Sequence, residues 1–249
     1  MTTHATTSTW VRTYAPAPAA PVRLVCLPHA GGSASFWLPV AKALSPQTDV
    51  VAIQYPGRQD RRHEPFVDNL PELALRIHEV LGELDDRPTA LLGHSMGATV
   101  AFELALLMEA AGRPPAHVFV SGRRAPSAAR HETVHQRDDD GLLAEVRSLA
   151  GTDARLLQDE ELMRMALPAV RNDYKAAETY RWTSGEPLNC PVTALIGDSD
   201  PKAHIPEVEA WATHTTGPFA MEVMSGGHFF LLDHSARVLD VIRTALAKS

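Results

Sequence analysis

The sequence predicts one α/β domain built on a mostly parallel sheet with helices covering both faces. Three observations carry that prediction. Short apolar, β-branched runs recur along the chain, each too short for a helix. Segments with helical spacing alternate with them, as crossover connections between parallel strands require. With 249 residues, 45% of them hydrophobic, the chain can bury one large core.

The first twenty residues are rich in Thr, Ala and Pro and contain neither a basic start nor a long apolar run. A disordered tail over residues 1–20 is therefore expected, ahead of a domain spanning 21–249. The first strand is expected at Val22–Leu27 and the second at residues 50–53. Leu70, Leu73, Ala74, Ile77 and Leu81 then mark one helical face, followed by a strand at 90–92. A second helix carries Val100, Leu104, Leu107 and Met108, and leads to a strand at 117–121. Further strands at 192–196 and Phe219–Met224 precede a last helix with Val238, Leu239, Ile242 and Leu246.

One connection is too long for this pattern. About 70 positions separate Ser121 from Val192, whereas a crossover needs about a dozen. Two amphipathic stripes lie within it, one of Leu142, Leu143, Val146 and Leu149, the other of Leu162, Met163, Ala166, Leu167, Val170, Tyr174 and Ala177. Pro168 is expected to start or kink a turn. Residues 125–187 are expected as an inserted helical lid over the carboxyl edge of the sheet, where ligands bind in open α/β folds. The alternative is helices that merely thicken the core. Met163 and Met165 suit either, since Met fills core gaps and lines adaptable pockets equally well.

The formal net charge of −7 gives no basis for holding nucleic acid through its phosphates, and no apolar stretch approaches the length of a membrane span. Cys26 and Cys190 lie in strand contexts and are expected as buried free thiols, which fits a reducing cytoplasm. Asp138-Asp139-Asp140 reads as a solvated helix start.

The chemistry sits in Gly93-His94-Ser95-Met96-Gly97, between an expected strand and an expected helix. That context is a nucleophile elbow, in which a strained turn presents the serine and the glycines let strand and helix approach closely. It makes Ser95 the candidate nucleophile of a serine hydrolase of the α/β-hydrolase type, which needs neither cofactor nor metal. A serine hydroxyl needs a base, and in this fold the chain order is Ser, acid, His. Of the twelve histidines, His228 follows the last strand and the flexible pair Gly226-Gly227. His234 reads as a surface or capping residue, His94 as packing beneath the elbow, and His204 and His214 as solvent-exposed. The acid is Asp198 or Asp200, after the strand at 192–196. Asp200 is favoured because Gly197 to Ser199 supply a turn that lifts it and Pro201 rigidifies the chain beyond it. Asp198 would then serve the turn itself. Oxyanion donors are expected from the N–H of Met96 and, in the loop Pro28-His29-Ala30-Gly31-Gly32, from that of Ala30. No phosphate-loop ending or dinucleotide fingerprint accompanies these glycines.

Together these residues resemble the type II thioesterases, the free-standing hydrolases that accompany modular polyketide and nonribosomal peptide synthases. The resemblance rests on Leu27 to Gly32, Tyr55-Pro56-Gly57-Arg58 with Arg62 and Glu64, the elbow, Ser121-Gly122-Arg123, Leu167-Pro168 with Arg171 and Asp173, Gly197 to Asp200, and Gly226-Gly227-His228-Phe229. It implies a triad of Ser95, Asp200 and His228, oxyanion donors at Ala30 and Met96, and a helical lid. It also implies cleavage of aberrant or stalled acyl groups from the phosphopantetheine arm of an acyl or peptidyl carrier protein, by a monomer. Such carriers are acidic, so Arg58 and Arg62 are candidate carrier or arm-phosphate contacts, with Met163 a candidate substrate contact. Ordinary ion pairs with Asp60 and Glu64 are the competing reading of the arginines. The same triad would equally serve a small-molecule carboxylesterase or perhydrolase, and a silent hydrolase relative acting as a binding protein is the remaining alternative.

Overall fold

The computed structural model describes residues 9–128, 130–149, 160–183 and 185–247. Seven strands form one sheet: β1 (Val11–Arg12), β2 (Val22–Leu27), β3 (Thr48–Ile53), β4 (Thr89–His94), β5 (Val118–Ser121), β6 (Val192–Gly197) and β7 (Phe219–Met224), in the spatial order β1-β3-β2-β4-β5-β6-β7. All neighbours are parallel except β1, which pairs antiparallel with β3 through Val11–Ile53 and Arg12–Ala52. The helices are α1 (Leu38–Leu44), α2 (Leu70–Leu81), α3 (Met96–Ala110), α4 (Asp139–Leu149), α5 (Glu160–Thr179), α6 (Ile205–Glu209), α7 (Phe230–Asp233) and α8 (Ser235–Leu246).

Strand periodicity divides the core in two. In β2 and β3, Val25, Leu27, Val51 and Ile53 pack with Leu73 and Ile77 of α2 and Val100 and Leu104 of α3. The alternate residues Leu24, Cys26, Val50 and Ala52 pack with Ala41 and Leu44 of α1 and Val238 and Ile242 of α8. Successive side chains on a strand point to opposite faces, so two helical layers can each cover one face of a sheet whose inner strands are buried and whose edge strands β1 and β7 are partly exposed. Cys26 and Cys190 are buried free thiols. Helix α2 begins where Asn69 accepts the N–H of Glu72, which satisfies one orphan donor of the first turn. No helix among the described residues is long and apolar enough to cross a membrane.

Two expectations are corrected here. A disordered tail is expected over residues 1–20; residues 1–8 lie outside those described, but residues 9–20 are built into the fold. Besides the β1 pairing, Ala17 and Ala20 are buried, the Gln54 N–H donates to the Trp10 carbonyl at 2.8 Å, and Arg61 lies over the Trp10 ring. A two-residue strand leaves too short a pattern to be seen in Thr/Ala/Pro-rich sequence. Helix α5 also runs on through Pro168, where a turn is expected. Leu167 and Val170, on either side of it, are buried against Leu142, Leu143 and Val134. That packing outweighs the hydrogen bond a mid-helix proline gives up. The insertion thus has a small core of its own, although residues 129, 150–159 and 184 within 125–187 lie outside those described.

Candidate active site

Parallel strands send their carboxyl ends to one edge, and the loops after β2, β4, β5, β6 and β7 meet there. The elbow follows from its glycines. A Cβ on Gly93 would lie 2.0 Å from the Gly97 carbonyl oxygen, and one on Gly97 2.1 Å from that of Leu27. Strand β4 can therefore turn into α3 without a spacer, and Ser95 takes φ 55° and ψ −119°, a conformation costly for a residue with a Cβ. Ser95 stands at the N-cap of α3, where a serine hydroxyl usually accepts a backbone N–H, but it caps nothing. Its Oγ lies 2.9 Å from His228 Nε2 instead.

His228 is carried in by the loop after β7 and is 2% exposed. Its Nδ1 lies 3.0 and 2.9 Å from the two carboxylate oxygens of Asp200, itself 3% exposed. The Lys202 N–H donates to Asp200 Oδ1 at 2.8 Å and fixes the carboxylate from behind. Asp198, exposed, accepts the Gly226 N–H at 3.0 Å and the Ser199 hydroxyl at 2.8 Å. Those bonds, the hydroxyl foremost, hold its carboxyl below the usual carboxylate range. Asp198 thus ties the β6 and β7 loops together, while Asp200 faces the imidazole.

Two further imidazoles surround the base. His94 is fully buried beneath the elbow with Nδ1 3.0 Å from Ser121 Oγ, and His29 packs against Phe36 and Phe229. Burial, reinforced by His228 and His29, drives the His94 pKa well below its ordinary value. Burial, then His228 and Arg58, brings that of His29 to about 3. Both rings are neutral near pH 7, so His228 gains neutral aromatic neighbours and no competing cation. His204 is exposed as expected, whereas His214 is not. It is buried beside Trp211 and Phe102, with Nε2 2.8 Å from Ser127 Oγ, an aromatic setting that its polar sequence neighbours do not disclose.

Ser95, Met96, Ala30 and His228 line a cavity of about 290 Å³ whose apolar wall includes Val146, Leu149 and Met163 of the inserted helices. The backbone N–H of Met96 opens α3, where no intrahelical acceptor is available. The Ala30 loop is held from the insertion: Asp173 of α5 accepts the Gly31 N–H at 2.8 Å.

Asp173 also corrects the reading of Arg58. Rather than facing a carrier, Arg58 is buried in a two-pronged pair, Nη1 to Oδ2 at 2.5 Å and Nη2 to Oδ1 at 2.9 Å. Its Nη1 also donates to the Gly32 carbonyl at 3.2 Å. The pairs expected with Asp60 and Glu64 are made by Arg12 and Arg61, and Arg62 is exposed. Arg58 therefore braces the Ala30 loop against α5, a long-range pairing that local sequence does not reveal. Replacing Arg58 with Met is expected to cost about 3–5 kcal/mol, since it strands the Asp173 carboxylate in the interior. Urea unfolding measures this, and the Arg58→Met/Asp173→Leu double variant should recover part of the loss.

A family model described as "Thioesterase domain" matches residues 22–246. The chain is 53% identical, over 98% of its length, to a Streptomyces griseus protein named "Probable cadicidin biosynthesis thioesterase", of which it spans 66%. It is 52% identical, over 90% of its length, to "Thioesterase PikA5" of Streptomyces venezuelae, of which it spans 80%. Among solved structures it is similar to the type II thioesterase BorB from the borrelidin biosynthetic cluster, with a TM-score of 0.92, 51% identity, and coverage of 96% of this chain and 98% of that one.

Proposed function

The chain belongs to the thioesterase domain family, and from that premise we propose that it hydrolyses acyl groups from the phosphopantetheine arm of carrier proteins through an acyl-Ser95 intermediate. The observation that carries the proposal is the bond sequence Ser95 Oγ, His228, Asp200 beneath an apolar cavity. In the first half-reaction Ser95 Oγ attacks the thioester carbonyl carbon while His228 Nε2 takes the hydroxyl proton. The oxyanion lies between the N–H groups of Met96 and Ala30. Its collapse breaks the C–S bond, and the imidazolium returns the proton to the departing sulfur. Water then enters, gives a proton to His228 and attacks the ester carbonyl, and Ser95 leaves as the restored hydroxyl with the free acid as product. Asp200 holds the Nδ1–H tautomer and offsets the imidazolium charge in both halves.

The inserted helices act as the lid of this cavity, with Met163 among the contacts for the acyl chain. A long, thin arm reaches a lidded site through a narrow opening, and binding energy from arm and carrier then positions the thioester in a way a minimal thiol cannot. The expected result is a higher kcat/KM for an acyl carrier protein than for the same acyl group on N-acetylcysteamine. Part of that gain should fall away at high salt if Arg62 steers docking, and should then be absent from Arg62→Ala at low salt. Equal kcat/KM on the two thioesters would reject carrier recognition, and faster turnover of the matching oxygen ester would favour the carboxylesterase reading.

A further inference from the structure

Among the described residues, two cationic side chains line the cavity over Ser95, Arg123 and Lys202, and the chemistry above uses neither. Arg123 follows β5 after Gly122, whose φ of +59° turns the chain into the cavity wall. A partly buried side chain, it donates from Nε to Thr99 Oγ1 of α3 at 3.0 Å and from Nη2 to the Ala177 carbonyl of α5 at 3.3 Å. Nη1 has no hydrogen-bond partner among the described residues, and no carboxylate among them lies within ion-pair distance of the guanidinium. The other charged groups in the wall are matched. Lys202 sits between Glu132 and Glu145, Glu132 also pairs with Arg124, and Glu178 accepts the N–H groups of Val134 and His135 and contacts the His135 ring. Burial above all, with the charge of Arg124, pulls the Arg123 pKa down to about 10, which leaves it cationic near pH 7.

Partly buried in the cavity wall, the guanidinium has donors that no protein acceptor among the described residues occupies, so an acyl oxygen entering the cavity can take them. Its position sets where that acceptor must be. Thr99 stands four residues beyond Ser95 on α3, about 6 Å along the helix axis. The guanidinium anchored there lines the same cavity as Ser95, the space that an acyl chain seated on Ser95 would enter.

We propose that Arg123 is a specificity-determining residue, which favours acyl groups carrying a keto, hydroxyl or carboxylate oxygen a few carbons from the thioester over saturated chains of equal length. The proposal rests on the thioesterase reading of Ser95 and names its substrate class. Arg is suited to the task because its planar donors approach a carbonyl or carboxylate oxygen in the plane of its lone pairs.

The test compares the wild type with Arg123→Met and Arg123→Lys on N-acetylcysteamine thioesters of hexanoate, 3-oxohexanoate, 5-oxohexanoate and adipate. The oxo compounds and adipate separate neutral from anionic oxygen. Arg123→Met should lower kcat/KM for at least one oxygenated thioester by about tenfold more than for hexanoyl, the scale of one hydrogen bond from a charged donor. Arg123→Lys should retain part of the preference. A loss by the same factor on every substrate would overturn the proposal and reduce Arg123 to a brace between α3 and α5. A second measurement, on the unmodified protein, guards against a variant that does not fold: 5-oxohexanoate or adipate should inhibit several-fold more tightly than hexanoate. Equal inhibition by all three acids would overturn the proposal while leaving the thioesterase reading intact. Failure of the wild type to hydrolyse any of these acyl groups, on N-acetylcysteamine or on a carrier protein, would overturn both.

Discussion

Replacing Ser95 with Ala is expected to lower kcat on an acyl thioester by about ten-thousandfold or more, and replacing His228 with Ala by a comparable factor. The double variant should be little worse than either. Oγ and Nε2 are 2.9 Å apart and act in one proton transfer, so removing one partner leaves the other nothing to do. What survives is catalysis by the oxyanion donors and by binding. Structural loss is a minor term for Ser95→Ala, since Ser95 caps no backbone N–H and its truncation removes no helix-stabilising bond. His228→Ala leaves the buried Asp200 carboxylate without its imidazole, so urea unfolding of that variant accompanies the kinetics. Single-turnover hydrolysis of a carrier-bound acyl group, with a serine-directed fluorophosphonate to report the nucleophile, measures the effect. Multiplicative losses in the double variant would mean that the two residues act independently, and the assignment of a shared proton transfer would be wrong.

Those two residues were legible in the sequence for physical reasons. The elbow needs Gly93 and Gly97 because backbone atoms occupy the space of their Cβ atoms, so its spacing is written in five consecutive residues. Strands β2 to β6 have four or six residues of near-continuous burial and leave an apolar run, although β3 and β4 begin, and β4 and β6 end, outside the run that the sequence marks. The edge strand β7 is half-exposed but keeps enough apolar residues to be read. What local sequence hid was long-range pairing. Arg58 meets Asp173 across 115 positions, so a basic run read as a surface patch is in fact divided between the interior and the solvent. Arg123 is visible only as part of a motif, because its lack of a carboxylate partner becomes apparent only when β5, α3 and α5 are assembled. His214 misleads for the same reason: its neighbours in sequence are polar, while its neighbours in space are Phe102 and Trp211.

The choice of acid separates sequence from structure most sharply, because Asp198 and Asp200 share one turn and either fits the chain order. Asp200→Asn is expected to lower kcat by about ten-thousandfold, since an amide in place of the carboxylate stabilises the wrong imidazole tautomer and offers no charge to the imidazolium. Nδ1 lies within 3.0 Å of both carboxylate oxygens in a site 3% exposed, so water cannot substitute for the lost charge. Asp198→Asn keeps an oxygen able to accept the Gly226 N–H and the Ser199 hydroxyl, and the position is exposed, so its kcat should stay within a few-fold of the wild type. Its effect should appear as a small loss of stability, from weakening one solvent-accessible hydrogen bond between the β6 and β7 loops and one within the β6 loop. Parallel measurement of kcat and of the urea midpoint for both variants separates the roles. If Asp198→Asn were the inactive protein and Asp200→Asn the active one, the acid would sit two residues earlier, and the loop would have to rearrange for its carboxylate to reach His228.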